Sequence, residues 1–468
     1  MASHDAAMPG IALNRFGLGA RPSEPPPAAS KDWLFAQFDQ YDARPGPWRA
    51  QPPSGRIIGE YVPRQRELRT TSQDAQPAAR EALRKAQRQR YLDAIDMRTL
   101  SALEARAPFV ERLVHFWSNH FAISADNPAV SMLAGSFEAD AIRPHVLGRF
   151  EDMLLAVERH PAMLLFLNQN TSMGPNSKVA ARNARRNPGQ QRGLNENLAR
   201  EIMELHTLGV RSGYSQADVT ELARALTGWS VAGMGAPDTA KPGVALNEDT
   251  GYAFHADRHE PGSRKIMGRR YDQAGQRQAA AVLQDLARSP ATARHVATKL
   301  ARHFAGDNPP PAMVERLARA YLDHDGELVP VYRALVESPE AWRPEAAKFK
   351  TPWEWMISSL RGLGRTDLHG LRMPALMQQL GQPLWRPGSP AGYDDIAASW
   401  AAPDALMRRV ELAGRLASQA ETGIDARRLA PQLLPGTLSE ATATALGRAE
   451  SGTTAMALLL VSPDFLRR

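Results

Sequence analysis

Apolar residues recur at helical spacing along most of this chain, and that period limits the folds open to it more than any other feature. Trp33, Leu34, Phe35 and Phe38 fall at such spacing within 32–38. Residues 78–103 are a long run of good helix formers with Arg80, Arg84, Lys85, Arg88 and Arg90 scattered round it. Pro108 sits where a first-turn proline opens a helix, which runs on to 121. Ser215 and Asp218 form a capping-box-like start, with aspartate in place of the usual glutamate. The same reading places helices at 138–147, 150–158, 276–287, 292–304, 312–322, 328–336, 352–363, 403–417 and 453–460.

Three stretches break the period. Residues 45–59 are rich in proline and glycine and read as a loop. Residues 168–194 are polar, carry Arg182, Arg185, Arg186 and Arg192, and read as a long mobile loop open to trypsin. Residues 231–272 are the one β region: a strand at 252–255, a turn at Pro261-Gly262-Ser263 and a returning strand at 265–267. The predicted fold class is therefore all-α (mainly helical), with two helical lobes, 1–230 and 273–468. A connector carrying a small β-hairpin near residues 250–270 joins them.

The chain has 468 residues, 43% hydrophobic and 23% charged, enough apolar content for a large core. Its formal charge of +7 is mild for this length. No zinc-finger spacing, aromatic-basic strand or basic coiled coil accompanies it, so nucleic-acid binding is not predicted. The absence of cysteine excludes disulfides, thiolate metal ligands and cysteine nucleophiles. Residues 1–10 lack a basic region followed by an apolar run, so the chain as written carries no secretory signal and reads as cytoplasmic. Apolar runs such as 455–461 fall far short of the roughly 20 residues that span a bilayer, so no transmembrane segment is expected. There is no Walker loop and no Gly-x-Ser-x-Gly elbow, and Gly17-Leu18-Gly19 is too short for a nucleotide fingerprint.

Chemistry-bearing side chains concentrate in 195–210, Asn-Glu-Asn-Leu-Ala-Arg-Glu-Ile-Met-Glu-Leu-His-Thr-Leu-Gly-Val. On a regular helix Asn197, Glu201, Glu204 and Leu208 share a face, beside an apolar stripe of Leu198, Ile202 and Leu205. Carboxylates at i, i+3 can bridge a divalent metal or act as an acid and base pair. They can equally receive arginines, for which Arg200, Arg224 and the 182–192 stretch are available. The catalytic candidates are Glu201, Glu204, Asn197 and His206. His206 lies two residues after Glu204 and projects nearly opposite it, so it reads first as a hydrogen-bonded core histidine. Candidates for a divalent metal, the only cofactor considered, are Glu201, Glu204, His115, His120 and His259. His115 and His120 are five apart and cannot chelate one ion from a regular helix. Their segment, His115-Phe116-Trp117-Ser118-Asn119-His120-Phe121, reads as aromatic packing whose polar tips reach a cavity. His255, Asp257 and His259 alternate as on a strand, with surface placement on a hairpin the simpler reading. Lys348 and Lys350 precede Pro352, and read as a solvated basic loop or as anion ligands at a helix start.

Several blocks together resemble a known family. They are Leu13-Asn14-Arg15-Phe16-Gly17-Leu18-Gly19, the His115–Phe121 segment, the asparagine-glutamate helix through Thr227-Gly228-Trp229, His259-Glu260-Pro261-Gly262 with Lys265-Ile266-Met267-Gly268, Lys299-Leu300-Ala301-Arg302-His303-Phe304, and Lys348-Phe349-Lys350-Thr351-Pro352-Trp353-Glu354. The set is similar to the bacterial family called domain of unknown function 1800, over nearly the whole chain. The resemblance implies a single, mostly helical family domain spanning 1–468. It also implies relatives that are often exported and encoded beside a sulfatase-like protein of the domain of unknown function 1501 family, a candidate partner. It carries no established activity. The family pattern has aspartate after the histidine of the fourth block, where this chain has Glu260. Two functional expectations follow. One is an enzyme that uses the glutamate-rich helix for acid–base or metal-assisted chemistry in a polar cavity. The other is a non-catalytic binding or assembly protein in which the glutamates form a structural ion-pair network.

Overall fold

A computed structural model describes residues 2–22, 24–186, 193–234, 244–420 and 424–468. The protein is mainly helical. Prolines open helices where the sequence placed them, at Pro108–His120, Pro352–Gly362 and Pro403–Ser418. There the missing N–H removes no intrahelical bond. Ser215 and Asp218 complete a reciprocal capping box at Gln216–Leu226, and Thr351 and Glu354 complete a second at Pro352–Gly362. One continuous cluster of buried apolar residues runs from Ala7 to Leu466. The N-terminal segment is tied to the far end of the sequence. The Asn14 amide donates to the Leu433 carbonyl at 2.9 Å, and Arg15 donates to the Ala341 carbonyl at 2.7 Å. Among the described residues no helix is long and apolar enough to cross a membrane.

Strands occupy a small part of the chain. β1 (Trp229–Val231), β2 (Val244–Asn247) and β3 (Tyr252–His255) form an antiparallel sheet in the order β1-β3-β2. β4 (Arg264–Ile266) and β5 (Arg269–Tyr271) form a separate hairpin. The expected pairing of 252–255 with 265–267 is therefore corrected. The real turn is Met267-Gly268, both with positive φ, as a two-residue hairpin turn requires. His255 is buried, not on the surface.

Two further corrections concern helices. Residues 45–59 are not all loop, because Ser54–Thr70 is helical despite Gly55, Gly59 and Pro63. Within 168–194 a helix runs Lys178–Arg186, while Arg192 lies outside the described residues. The asparagine-glutamate segment also departs from regularity. It is α-helical over Asn197–Glu201 and becomes a π-turn over Ile202–His206, closed by the Thr207 hydroxyl on the Ile202 carbonyl at 2.6 Å. A π-turn advances each residue by less than the α-helical step, so a face drawn at about 100° per residue does not hold through it. Asn197 is exposed while Leu208 is buried.

Candidate functional site

Two helices bring their polar faces together. On Pro108–His120 the residues Arg112, His115, Phe116, Asn119 and His120 repeat at helical spacing. On Pro290–Ala305 the residues His295, Lys299, Arg302 and His303 do the same. Phe116 packs on His303, with ring centroids 5.5 Å apart. Between these faces lies a cavity of about 320 Å³, completed by Arg98, by Trp353 and Glu354, and by the 382–396 segment. That volume falls within the range of small-molecule sites.

The mouth segment is held by an amide. Asn119 accepts from the Tyr393 N–H and donates to the Tyr393 carbonyl, both at 2.8 Å. Gly392, at φ +83°, lets the chain pass so close to Asn119 that a Cβ would collide with its carbonyl.

Beneath the cavity is a buried charge network. Glu354 receives Arg112, and Arg468 at 2.7 Å. Asp395 pairs with His303 at 2.8 Å and with Lys348 at 3.0 Å, and Lys348 also reaches Asp307 at 3.1 Å. Burial alone would raise both carboxyls. Arg468 and Arg112 outweigh it at Glu354, and His303 with Lys348 outweighs it at Asp395, so both sit well below the usual carboxylate range. Lys348 and Lys350 are each 1% exposed, which corrects the solvated-loop reading. The Lys350 ammonium lies 3.1 Å from the Ser358 hydroxyl and over the Phe465 ring, and burial pulls its pKa down to about 7. Further round, Glu138 takes Arg98 at 2.9 Å and Ser118 at 3.1 Å, and Glu111 takes Arg143 at 2.6 Å.

Each histidine at the cavity spends at least one ring nitrogen, while His115 Nε2 and His120 Nδ1 have no hydrogen-bond partner among the described residues. Trp353 donates its indole N–H to His115 Nδ1 at 3.2 Å, so the neutral ring carries its proton on Nε2. Burial, then the charges of Arg98, Arg143 and Arg112, hold His115 well below its ordinary pKa. His120 uses Nε2 on the His206 carbonyl at 3.1 Å. His303 uses Nδ1 on Asp395, and its Nε2 faces Arg468 at 3.4 Å. The cations differ. Among the described residues Lys299 forms no hydrogen bond or ion pair, Arg302 uses only Nε, on the Asp307 carbonyl at 3.3 Å, and Arg98 forms no hydrogen bond through its terminal nitrogens. Arg98 lies over Trp353 and Trp385, 4.9 and 5.2 Å from their ring centroids. Burial draws Lys299 down to about 8 against the opposing charge of Asp395.

The sequence-derived candidates divide. His115 and His120 line the cavity, whereas Glu201, Glu204 and Asn197 do not. Glu204 is 3.8 Å from Arg200 in a partly exposed pair. Arg224 pairs with Glu221 and Arg182 with Asp257, so neither joins Glu201 or Glu204. His206 is fully buried, with Nδ1 2.7 Å from Glu158, as a core histidine would be. His259 turns away to the Thr227 carbonyl at 2.9 Å. Glu260 takes the backbone and side-chain N–H of Asn176 at 2.9 and 2.7 Å. Among the described residues no group of three histidine, aspartate or glutamate side chains is arranged to hold a metal ion. Asp395 and Trp385 were not singled out from the sequence, and Lys299 and Arg302 were named there only within a family block and not as site candidates. The block at 299–304 held a usable signal, cations at i, i+3 on a face that also carries core residues.

The family model described as "Protein of unknown function (DUF1800)" matches residues 11–467. The chain belongs to this family. The match takes in both cavity helices, the charge network except Arg468, and the asparagine-glutamate segment. Comparison with curated proteins and with solved structures yields no match to this DUF1800 protein.

Proposed function

We propose that this DUF1800 protein binds a small organic anion in the cavity between Pro108–His120 and Pro290–Ala305. The observation that carries the reading is an imbalance of free valence. Of the cavity's carboxylates, Glu354 and Asp395 are spent on Arg112, Arg468, His303 and Lys348, and the exposed Asp394 accepts from the Ser399 hydroxyl at 2.7 Å. Its cations Arg98, Lys299 and Arg302 keep donors facing the space. Phe116, Ile123, Trp353 and Trp385 supply an apolar wall. A carboxylate on an apolar or aromatic body satisfies both. A tryptophan-fluorescence titration with benzoate, benzyl alcohol and benzylamine tests this. Benzoate binds best, and Arg302→Met weakens it about tenfold, which corresponds to roughly 1.4 kcal/mol. Benzyl alcohol or benzylamine binding as well as benzoate would sink the reading.

A second reading keeps Glu201 and Glu204 as an acid–base pair in a separate, shallow surface site with Asn197. Its support is that burial raises the Glu201 pKa and the Glu204 charge acts in the same direction. Glu201→Gln abolishing turnover while leaving benzoate binding untouched would favour it.

A further inference from the structure

We propose that Lys299 is a reactive amine that condenses with the carbonyl carbon of an anionic oxo compound, such as a 2-oxo acid, bound in the cavity. The proposal rests on the anion-binding reading above and adds a covalent step to it. Lys299 stands one helical turn before His303, on the cavity face of Pro290–Ala305. The titratable and charged groups facing it are Asp395, Arg302, His120 and His295. None of them bonds to it: Asp395 is held by His303 and Lys348, His120 by the His206 carbonyl, His295 by the Leu205 carbonyl and Arg302 by the Asp307 carbonyl. The contrast between this half-buried lysine and the buried Lys348 and Lys350 is sharp. Lys348 is bound by Asp307 and Asp395, and Lys350 by Ser358. Only eight of the chain's 57 lysines and arginines are lysine, and this one faces the cavity unpaired among the described residues.

Charge and reactivity agree with the placement. With its pKa drawn to about 8, about a tenth of Lys299 is the neutral amine at pH 7, far more than for an ordinary lysine. The nitrogen lone pair attacks the carbonyl carbon and forms a carbon–nitrogen bond. The carbonyl oxygen then takes two protons and leaves as water. Ammonium plus carbonyl thus gives a protonated imine plus water, with no oxidant or reductant. The carboxylate next to the carbonyl would be held by Arg302 and Arg98, which fixes the electrophilic carbon near the amine.

Reductive trapping tests this on the full chain. Glyoxylate with sodium cyanoborohydride converts an imine into a stable carboxymethyl-amine, the borohydride supplying hydride to the imine carbon. Trypsin no longer cleaves after a modified lysine, so the adduct appears in a peptide spanning residues 295–302. The expected result is labelling of Lys299 at least about tenfold faster than exposed Lys85, Lys178 and Lys265, with a rate rising through a midpoint near pH 8. Lys299→Met removes that peptide adduct and leaves the slow labelling of the others. Labelling of Lys299 no faster than the exposed lysines overturns the proposal, and if benzoate still binds, the anion reading stands without it. Fast labelling by acetaldehyde as well as by glyoxylate, without protection by benzoate, leaves a reactive amine and overturns the anion reading instead.

Discussion

The cavity wall and the asparagine-glutamate segment are both dense in charge, and they hold that charge in opposite ways. At the wall, Glu354, Arg112, Lys348 and Arg468 are buried, Asp395 is half-buried, and all are paired across long stretches of chain. On the segment, Glu196 binds Arg200, Gln216 and Thr220 within a neighbourhood of two short helices, and Glu204 stays about a third exposed. A partly exposed carboxylate is screened by water and carries little energy, whereas a buried one must be neutralised by design of the whole fold. Local polarity in a sequence therefore marks a solvated helix more readily than a site. The two regions still touch, since His120 and His295 of the cavity helices bond to the carbonyls of His206 and Leu205 at 3.1 and 3.0 Å.

That comparison can be broken by experiment. Glu354→Gln leaves Arg112 and Arg468 without their counter-charge, and chemical denaturation should register a loss of about 3–5 kcal/mol. A loss under 1 kcal/mol would mean that the wall is no more demanding than the surface.

Lys350 gives the next largest effect. Its pKa is lowered on folding to about 7 from 10.5, so the unfolded chain holds the proton between those values and the folded chain does not. Stability should therefore rise with pH from about 7 to about 10, by up to roughly 1.4 kcal/mol per unit. Lys350→Met should remove the rise between about pH 7 and 8 and halve it above, where Lys299 contributes with the same sign, and an unchanged slope in the variant would show that another group is responsible.

Glu158→Ala probes the junction between the regions. It strips the His206 N–H of its acceptor in a dry site, at a cost of about 1–3 kcal/mol. The asparagine-glutamate segment should then exchange its amide hydrogens faster, while the 382–396 segment keeps its protection.

Glu204→Gln closes the series with an effect below about 1 kcal/mol, because its Arg200 pair is exposed. Thermal melting as damaged as that of Glu354→Gln would reverse the contrast between the two regions.

What the sequence made legible was local. Helix starts at Pro108, Pro352 and Pro403 and the cap at Ser215 depend on neighbouring residues, and they fall where expected. Ser54–Thr70 was hidden because the prolines and glycines of 45–59 read as a loop, while the tertiary packing of Ile57, Ile58 and Tyr61 overrides them. Lys178–Arg186 has no apolar period to show. The β pairing failed for a related reason, since 252–255 finds its partners in 229–231 and 244–247 and not in the next strand. The site was legible only in part. His115 and His120 were marked by their aromatic block, but the burial of Lys348 depends on Asp307 and Asp395, which no local pattern connects to it.

The Arg112–Glu354 pair joins residues 242 apart in sequence. During synthesis at 5–20 residues per second, the guanidinium waits about 12–48 s for its carboxylate to be added. Throughout that interval the Pro108–His120 helix carries a cation whose backbone acceptors, the Gly17 and Asn14 carbonyls, are already made but whose counter-charge is not. Closure of this wall is a late, long-range event that the contact order of the pair makes slow. A nascent chain that stalls between the two residues would present an unfinished, partly apolar surface, the kind that chaperones and proteases recognise.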